Sequence, residues 1–503
     1  MSHWPSKFRA VLIAVLVPFL WLSAVRLLSL DRGCETSADD YYHVAMADLF
    51  PEGCVGKTFP WMTMSIWKDQ FYDKELFYHA MLAAFRGCER VLGWSVDPPF
   101  HFPGLAFDLL LIVVFAMAAA AFRIPRPYFL TAILVMLCPF FTQRLLMLRP
   151  HVLAITIMLA YCWHLTGARR LWLSFAFGVL TAYAYSNPHF ILLPAAVFGA
   201  LMIRRNARMA WLVPLATLGG LLAGLTLHPQ FPNTFILWKI QCVDVIRQAV
   251  FQQSPVYLGV ELYQPKAAWL VQNAAFFGLL LLNGAGLRQL LRRCRPSFET
   301  AFFLILQTAA AIGIFLSKRV LEYGWPFALL AGGLLFRDLK EAGVLTILME
   351  RYRKRAVGAI HLALAVGFCI LGILQIRSTR LYQVPELRGF GDWAAKKLPQ
   401  GTAVANPNWS DFPQLFYSAP QFRYSLGIDP MFGYHAMPEK IETLEAFRTG
   451  RMMLSPRELR DLTQSRFAFV SSHAWMLAKD MHENGYVFIY QGDDGWLFDL
   501  DPQ

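Results

Sequence analysis

Residues Phe8–Leu30 read FRAVLIAVLVPFLWLSAVRLLSL, and shortly after them Ala38–His43 read ADDYYH. The first stretch is mostly apolar, and about 20 such residues wound as a helix cross a hydrocarbon core of about 30 Å. The second places two carboxylates, two phenols and an imidazole in six consecutive positions just beyond that helix. Working outward, comparable apolar windows recur at Leu105–Phe122, Tyr128–Phe141, Val152–Thr166, Leu171–Tyr185, Phe190–Ile203, Met209–Leu227, Ala268–Leu287, Phe298–Leu316, Trp325–Phe336 and Val357–Gln375. Counting the first, the sequence predicts a polytopic α-helical membrane protein of about eleven transmembrane helices.

Composition agrees. Of 503 residues, 56% are hydrophobic and only 16% charged, against about 25% charged in soluble domains. A single soluble globule is excluded, and the 15% aromatic content excludes a disordered chain. The formal charge of +12 would suggest nucleic acid in a soluble protein. Here the basic residues fall mainly in alternate short loops: Arg123 and Arg126; Arg169 and Arg170; Arg204, Arg205 and Arg208; Arg288 to Arg295; and Arg337 through Arg355. By the positive-inside rule those loops and the N-terminus are cytoplasmic, in an inner (cytoplasmic) membrane, and no nucleic-acid partner is expected. Lys7 and Arg9 before the first span fit a signal peptide as well, but no A-x-A site follows, so it reads as a retained anchor. Eight cysteines without CxxC spacing give neither a zinc site nor a disulfide scaffold; Cys34 and Cys54 could pair in an oxidising outer compartment.

Three long segments then lie outside the membrane: 31–104, 228–267 and the tail from about 377. The expected division is 1–376 as a transmembrane module including the outer loop 31–104, and 377–503 as an extracytoplasmic α/β domain. The tail has strand patterns at Thr402–Ala405, Phe422–Gly427 and Phe467–Ser471. A hairpin, Tyr486–Tyr490 with Trp496–Leu500, turns on Gly492-Asp493-Asp494-Gly495. Helices are expected at Phe390–Leu398, Pro438–Thr449 and Pro456–Thr463, the last opened by a Ser455…Glu458 capping box.

Chemistry is expected where topology does not require charge. Asp39-Asp40-Tyr41-Tyr42-His43 could bind a divalent cation, Mg or Mn, through Asp39 and Asp40, or supply a general base; the alternative is a solvated acidic turn. Asp69, Asp73, Glu75 and His79 follow in the same loop, where acids could instead only favour the dipole of a helix beginning near Leu76. Arg144, Arg149 and His151 bracket one outer connection, and Lys318-Arg319 another. Positive charge there runs against the positive-inside bias, so either an anionic phosphate or local acids such as Glu322 must answer it.

An N-in first span, an outer loop opening on an acidic Asp-x-Tyr-Tyr-His motif, a multi-span bundle and an outer α/β domain resemble the GT-C glycosyltransferases, which use polyprenyl-phosphate-linked sugars. Within them the chain looks most like oligosaccharyltransferase catalytic subunits and bacterial proteins similar to dolichyl-phosphate-mannose-protein mannosyltransferases. The resemblance implies Asp39 as the essential acid, Asp40 next, with His43, Asp73, Glu75 and His79 around them. It implies Arg149, His151, Lys318 and Arg319 at the donor phosphate, and Trp409, Asp411 and Arg423 toward the acceptor. Trp409-Ser410-Asp411 is similar to the Trp-Trp-Asp acceptor motif, with Ser in place of the second Trp. A second DxD-type acidic loop is absent from the sequence. So are GxGxxG and Walker motifs, so no nucleotide-sugar donor is indicated. The acceptor would be an extracytoplasmic glycan, lipid or protein. A transporter, flippase or polymerase of lipid-linked glycans is the competing reading, but a transporter would place ionisable groups mid-bundle with inverted repeats.

Overall fold

A computed structural model describes residues 4–53, 56–167, 169–251, 254–344, 359, 363, 366–367 and 369–501, with side chains before residue 9 excluded. The chain divides into two compact units. The first comprises Met1–Leu30, His101–Gly224 and Glu261–Tyr382; the second comprises Asp31–Phe100, Leu225–Val260 and Gln383–Gln503.

The first unit is helical. Ten of the expected spans fall on helical segments, Tyr128–Phe141 across a break between two of them, because an apolar run satisfies its backbone polar groups internally only as a helix when no water is at hand. Among the described residues four helices are long and apolar enough to cross a membrane: Arg9–Ser29, His101–Ala121, Ala207–Leu227 and Ala274–Leu291. Pro127–Met136 and Pro139–Leu146 make a fifth if taken together, but they meet at an 80° bend, and Pro139 at the start of the second explains the break. His151–Thr166, Leu171–Ala184, Pro188–Met202 and Phe298–Ile314 are apolar but shorter. Leu321–Glu341 encloses the tenth expected span, and the window Val357–Gln375 falls partly outside the described residues. The chain is a multi-pass membrane protein.

Its outward faces carry large apolar side chains such as Leu20, Leu281, Leu282 and Ile312, a surface suited to lipid tails rather than water. Between helices, small residues let backbones touch. A Cβ on Gly220 would stand 2.0 Å from the Phe175 carbonyl oxygen, and one on Gly178 2.3 Å from that of Thr217. The helices Leu171–Ala184 and Ala207–Leu227 therefore pack through glycine, the usual device where apolar burial alone does not drive association.

The second unit joins segments far apart in sequence. The strand Cys34–Glu35 pairs antiparallel with Val384–Pro385. Five strands, β1 (Ala403–Ala405), β2 (Arg423–Tyr424), β3 (Phe467–Ser471), β4 (Val487–Gly492) and β5 (Gly495–Asp499), form one sheet in the order β2-β1-β3-β5-β4. The β2, β1 and β3 strands run parallel, and β5 is antiparallel to both β3 and β4. Gly492 pairs with Gly495, so the hairpin turns on Asp493-Asp494 as the Gly-Asp-Asp-Gly run requires. The Pro456–Thr463 helix begins on the reciprocal Ser455–Glu458 capping box.

One expected boundary differs. Residues 31–100 group with the tail and with 225–260, not with the spans of 1–376. The reason is aromatic packing together with the short ladder: Phe59 and Trp61 of the loop lie 5.4 and 5.1 Å from Phe416, ring centroid to centroid, and Trp67 lies 5.1 Å from Phe432. Hydropathy marks where spans stop; it carries no information on which polar segments share a core.

Candidate functional site

Two constellations of ionisable residues emerge, one in each unit. In the second unit, Ser37 in extended conformation precedes the Ala38–Asp48 helix, and Asp39 and Asp40 occupy its first turn, where carboxylates favour the helix dipole. Successive helical positions point about 100° apart. Asp40 accordingly turns inward, fully buried, and accepts a hydrogen bond from Thr36 Oγ1 at 3.0 Å, whereas Asp39 stays half-buried. The two carboxylates do not form a common clamp, and among the described residues no group of three or more His, Cys, Asp or Glu is arranged to hold a metal ion.

Four residues along from Asp39, on the same face of the helix, His43 meets the second acidic group. His43 Nδ1 lies 2.9 Å from His79 Nε2, and His79 Nδ1 lies 2.9 Å from both Asp73 oxygens. All three side chains are buried, at 5%, 0% and 3% exposure for His43, His79 and Asp73. Asp73 also accepts from the Glu75 backbone N–H at 3.1 Å, closing the turn into the Leu76–Leu92 helix, while Gln230 Oε1 accepts from the Asp73 N–H at 2.5 Å. Both readings of these acids hold at once: Asp73 shapes the helix start and orients a histidine. Tyr42 packs edge-on against both imidazoles. Its hydroxyl is pushed well above the usual phenol range by burial, then by the charges of Asp73, Glu75 and Asp39. Asp69 is exposed and takes no part.

The acceptor trio does not converge. Asp411 is buried, accepts from Asn408 Nδ2 at 2.7 Å and from Ser471 Oγ at 3.0 Å, and so sits past the C-terminal end of β3. Burial pushes its carboxyl up to about 6, against the opposing hydrogen bonds from Ser471 and Asn408. Arg423 is exposed at the opposite, N-terminal end of the parallel strands, where its Nε donates to the Gly401 carbonyl at 2.9 Å. Trp409 is half-buried in the turn preceding Asp411.

In the first unit, the connection between Pro139–Leu146 and His151–Thr166 carries Arg144 and Arg149, and the turn before Leu321–Glu341 carries Lys318 and Arg319. The buried Arg144 pairs with Glu322 at 2.7 Å, and Arg319 approaches the same carboxylate at 3.9 Å while donating to Tyr185 Oη at 3.0 Å. Arg149 lies 3.7 Å from Glu261. The segment bearing Glu261 is clamped to the Lys318 turn: Ser317 Oγ and the Arg319 N–H both donate to the Glu261 carbonyl, at 3.2 and 3.3 Å. Burial would push the Glu261 carboxyl up, but Arg149, then Arg144 and Arg319, hold it down to about 2. His151 is buried and donates from Nε2 to the Arg144 carbonyl at 2.7 Å, so it braces the Arg144 backbone. The expected local pairing with Glu322 is therefore present. Even so, among the described residues of this cluster the four cations Arg144, Arg149, Lys318 and Arg319 outnumber the two acids Glu261 and Glu322.

Glu261, Tyr185 and Gln230 were not singled out from sequence, because each acquires its partner across a long separation and belongs to no local motif. An acid within a span also escaped notice: Asp108, 1% exposed in His101–Ala121, interacts with the fully buried Arg26 of the first span, whose Nη1 donates to the Leu146 carbonyl at 2.7 Å.

The structure is similar over 99% of the chain to archaeal oligosaccharyltransferase AglB from Archaeoglobus fulgidus, solved with an inhibitory peptide and a dolichol-phosphate. The TM-score is 0.63, with 11% identity and 75% of that chain covered. The same organism's oligosaccharyltransferase in its apo form aligns at TM-score 0.58 and 10% identity, over all of this chain and 75% of that one. ArnT from Cupriavidus metallidurans, bound to undecaprenyl phosphate, aligns at TM-score 0.52 and 13% identity with all of both chains covered. The chain shares the fold of these solved membrane proteins. No family model and no curated protein matches the sequence.

Proposed function

We propose that this protein is a membrane glycosyltransferase that moves a sugar or glycan from a polyprenyl-phosphate-linked donor to an extracytoplasmic acceptor. The observation that carries the reading is the excess of cations over acids at Arg144, Arg149, Lys318 and Arg319, in a fold whose solved neighbours hold dolichol-phosphate and undecaprenyl phosphate. Transfer leaves a lipid phosphate carrying about two negative charges, and preorganised guanidinium groups aimed at developing charge stabilise such a leaving group without reorganising. Glu322 and Glu261 hold the arginines in place, so their geometry does not depend on the ligand. Arg149, Lys318 and Arg319 are the half-buried members; Arg149 and Lys318, neither of which is paired to Glu322, are the ones assigned to the phosphate, and His151 supports Arg144 from behind.

On the acceptor side, Asp39 is the half-buried carboxylate assigned to the incoming nucleophile, with the buried Asp40 as its structural neighbour. The test uses undecaprenyl phosphate as the probe. The purified full chain should bind it, Arg149→Ala and Lys318→Ala should each weaken binding, and Arg423→Ala should leave it unchanged. Equal binding by wild type and both site variants would remove the phosphate assignment.

A further inference from the structure

Within the first unit, two of the basic loops converge on one aromatic ring. His151–Thr166 is followed by Arg169 and Arg170, and Leu192–Met202 by Arg204 and Arg205. Arg169 Cζ lies 4.9 Å from the centre of the Phe298 ring and 5.9 Å from that of Phe198, and Arg205 Cζ lies 5.4 Å from Phe298. The two rings meet edge to face at 5.9 Å, and the buried Phe298 opens the Phe298–Ile314 helix. Guanidinium groups gain from the ring face, but two of them held to one ring repel each other. The carboxylates close by in sequence are turned elsewhere: Glu299 lies 3.7 Å and Asp338 2.8 Å from Arg337. Among the described residues neither Arg169 nor Arg205 takes part in an ion pair, and the buried Nε of Arg169 has no hydrogen-bond partner.

Two further features stand at the same level. Arg169 and Arg170 lead directly into the Leu171–Ala184 helix, whose N-terminus carries no side-chain cap, so its first N–H groups and its dipole add to the attraction for an anion. Trp172 in its first turn and Trp211 near the start of Ala207–Leu227 are 63% and 67% exposed. These two helices pack through Gly178 and Gly220, and exposed tryptophans at helix ends mark the headgroup level of a bilayer. The positive-inside bias accounts for arginines gathering on one face. It does not account for two of them lying against a buried ring, since a loop arginine needs only water.

We infer that Arg169 and Arg205, with the start of the Leu171–Ala184 helix, bind the phosphate of an anionic phospholipid from the surrounding leaflet. The phosphate relieves the repulsion between the two guanidinium groups, which suit phosphate oxygens geometrically, while the tryptophans flank the acyl chains. A zwitterionic headgroup fits less well, because its ammonium would enter a patch that already holds the exposed Arg170, Arg204 and Arg208. Bound there, the lipid ties together the starts of three helices, Leu171–Ala184, Ala207–Leu227 and Phe298–Ile314. The site is separate from the donor cluster: Arg149 precedes the His151–Thr166 helix and Arg169 follows it, about 24 Å of helix away. It therefore does not depend on the glycosyltransferase reading.

The test titrates the purified full chain, in a non-ionic detergent, with phosphatidylglycerol or phosphatidylcholine and counts bound lipid by native mass spectrometry. The wild type should hold phosphatidylglycerol about tenfold more tightly than phosphatidylcholine. Arg169→Ala and Arg205→Ala should each weaken phosphatidylglycerol about fivefold, the effect of one basic residue beside an anionic lipid. Arg288→Ala removes the same charge from an exposed position in another loop of that face and should change nothing. Equal retention of the two lipids by wild type, or an equal loss in Arg288→Ala and Arg205→Ala, overturns the site. A thermal melt separates the sources of phosphate. Phosphatidylglycerol should raise the unfolding temperature of wild type more than that of Arg205→Ala, and inorganic phosphate without lipid should not. Stabilisation by inorganic phosphate alone would assign the site to a soluble anion and overturn the lipid. Arg205 is exposed and the lipid preference of the wild type needs no variant, so both are read even if Arg169→Ala fails to fold.

Discussion

The two constellations use charge in opposite ways. In the first unit the groups are arginines and carboxylates locked in ion pairs, with Arg144 on Glu322 and Arg149 near Glu261. In the second unit the central contacts run from carboxylate to imidazole to imidazole, all three side chains buried. One arrangement is a set of fixed ion pairs in which cations outnumber acids; the other is a buried chain of hydrogen bonds. Under the proposed function the first serves the donor phosphate.

The sharpest way to break this comparison is to remove the assigned acceptor-side acid. Asp39→Asn should lower transfer by about 10²- to 10⁴-fold, the range of a lost acid–base group, while undecaprenyl phosphate binding stays at the wild-type level. A parallel loss of binding would show that the two clusters are not functionally separable. Next in size, Arg149→Ala should weaken undecaprenyl phosphate binding about 10- to 100-fold, as expected for one charge-assisted hydrogen bond, and Arg149→Lys should restore part of it. Titration calorimetry on the purified protein reads both.

Asp411 supplies a third, smaller test, of a buried acid in the second unit that lies outside the histidine contacts. Its carboxyl is raised from 3.8 to about 6, chiefly by burial, so between those values the folded protein holds a proton that the unfolded chain has released. That contribution to stability is full below pH 3.8 and falls as pH rises through about 6, by on the order of 1–3 kcal/mol. Asp411→Asn should flatten the slope in denaturant unfolding between pH 4 and 6, and an unchanged slope would assign it to another group. The smallest effect serves as a control: Ser455→Ala removes the capping box of Pro456–Thr463 and should cost about 1 kcal/mol in unfolding while leaving both phosphate binding and transfer untouched.

Legibility in the sequence followed the range of the interaction. The positions of ten helices, the hairpin on Asp493-Asp494, the Phe467–Ser471 strand in full and the capping box at Ser455 were all readable, since each depends on residues a few positions apart. The individual site residues were readable as types in suggestive places, but their grouping was not. Asp39 and Asp40 looked like a pair and diverge on a helix; Asp411 and Arg423 looked like one acceptor site and occupy opposite strand ends. His43, Asp73 and His79 looked like members of two separate clusters and form one chain of contacts.

What the sequence alone determined is thus a multi-pass helical chain with polar segments between and after the spans, because apolar length and local turn chemistry are properties of consecutive residues. Tertiary structure alone decided which polar segments share a core, which acids answer which arginines, and how one aspartate comes to orient two histidines. Those outcomes turn on packing between residues as far apart as Arg149 and Glu261, or Asp73 and Gln230. No local pattern encodes such meetings, because each exists only after the intervening chain has folded.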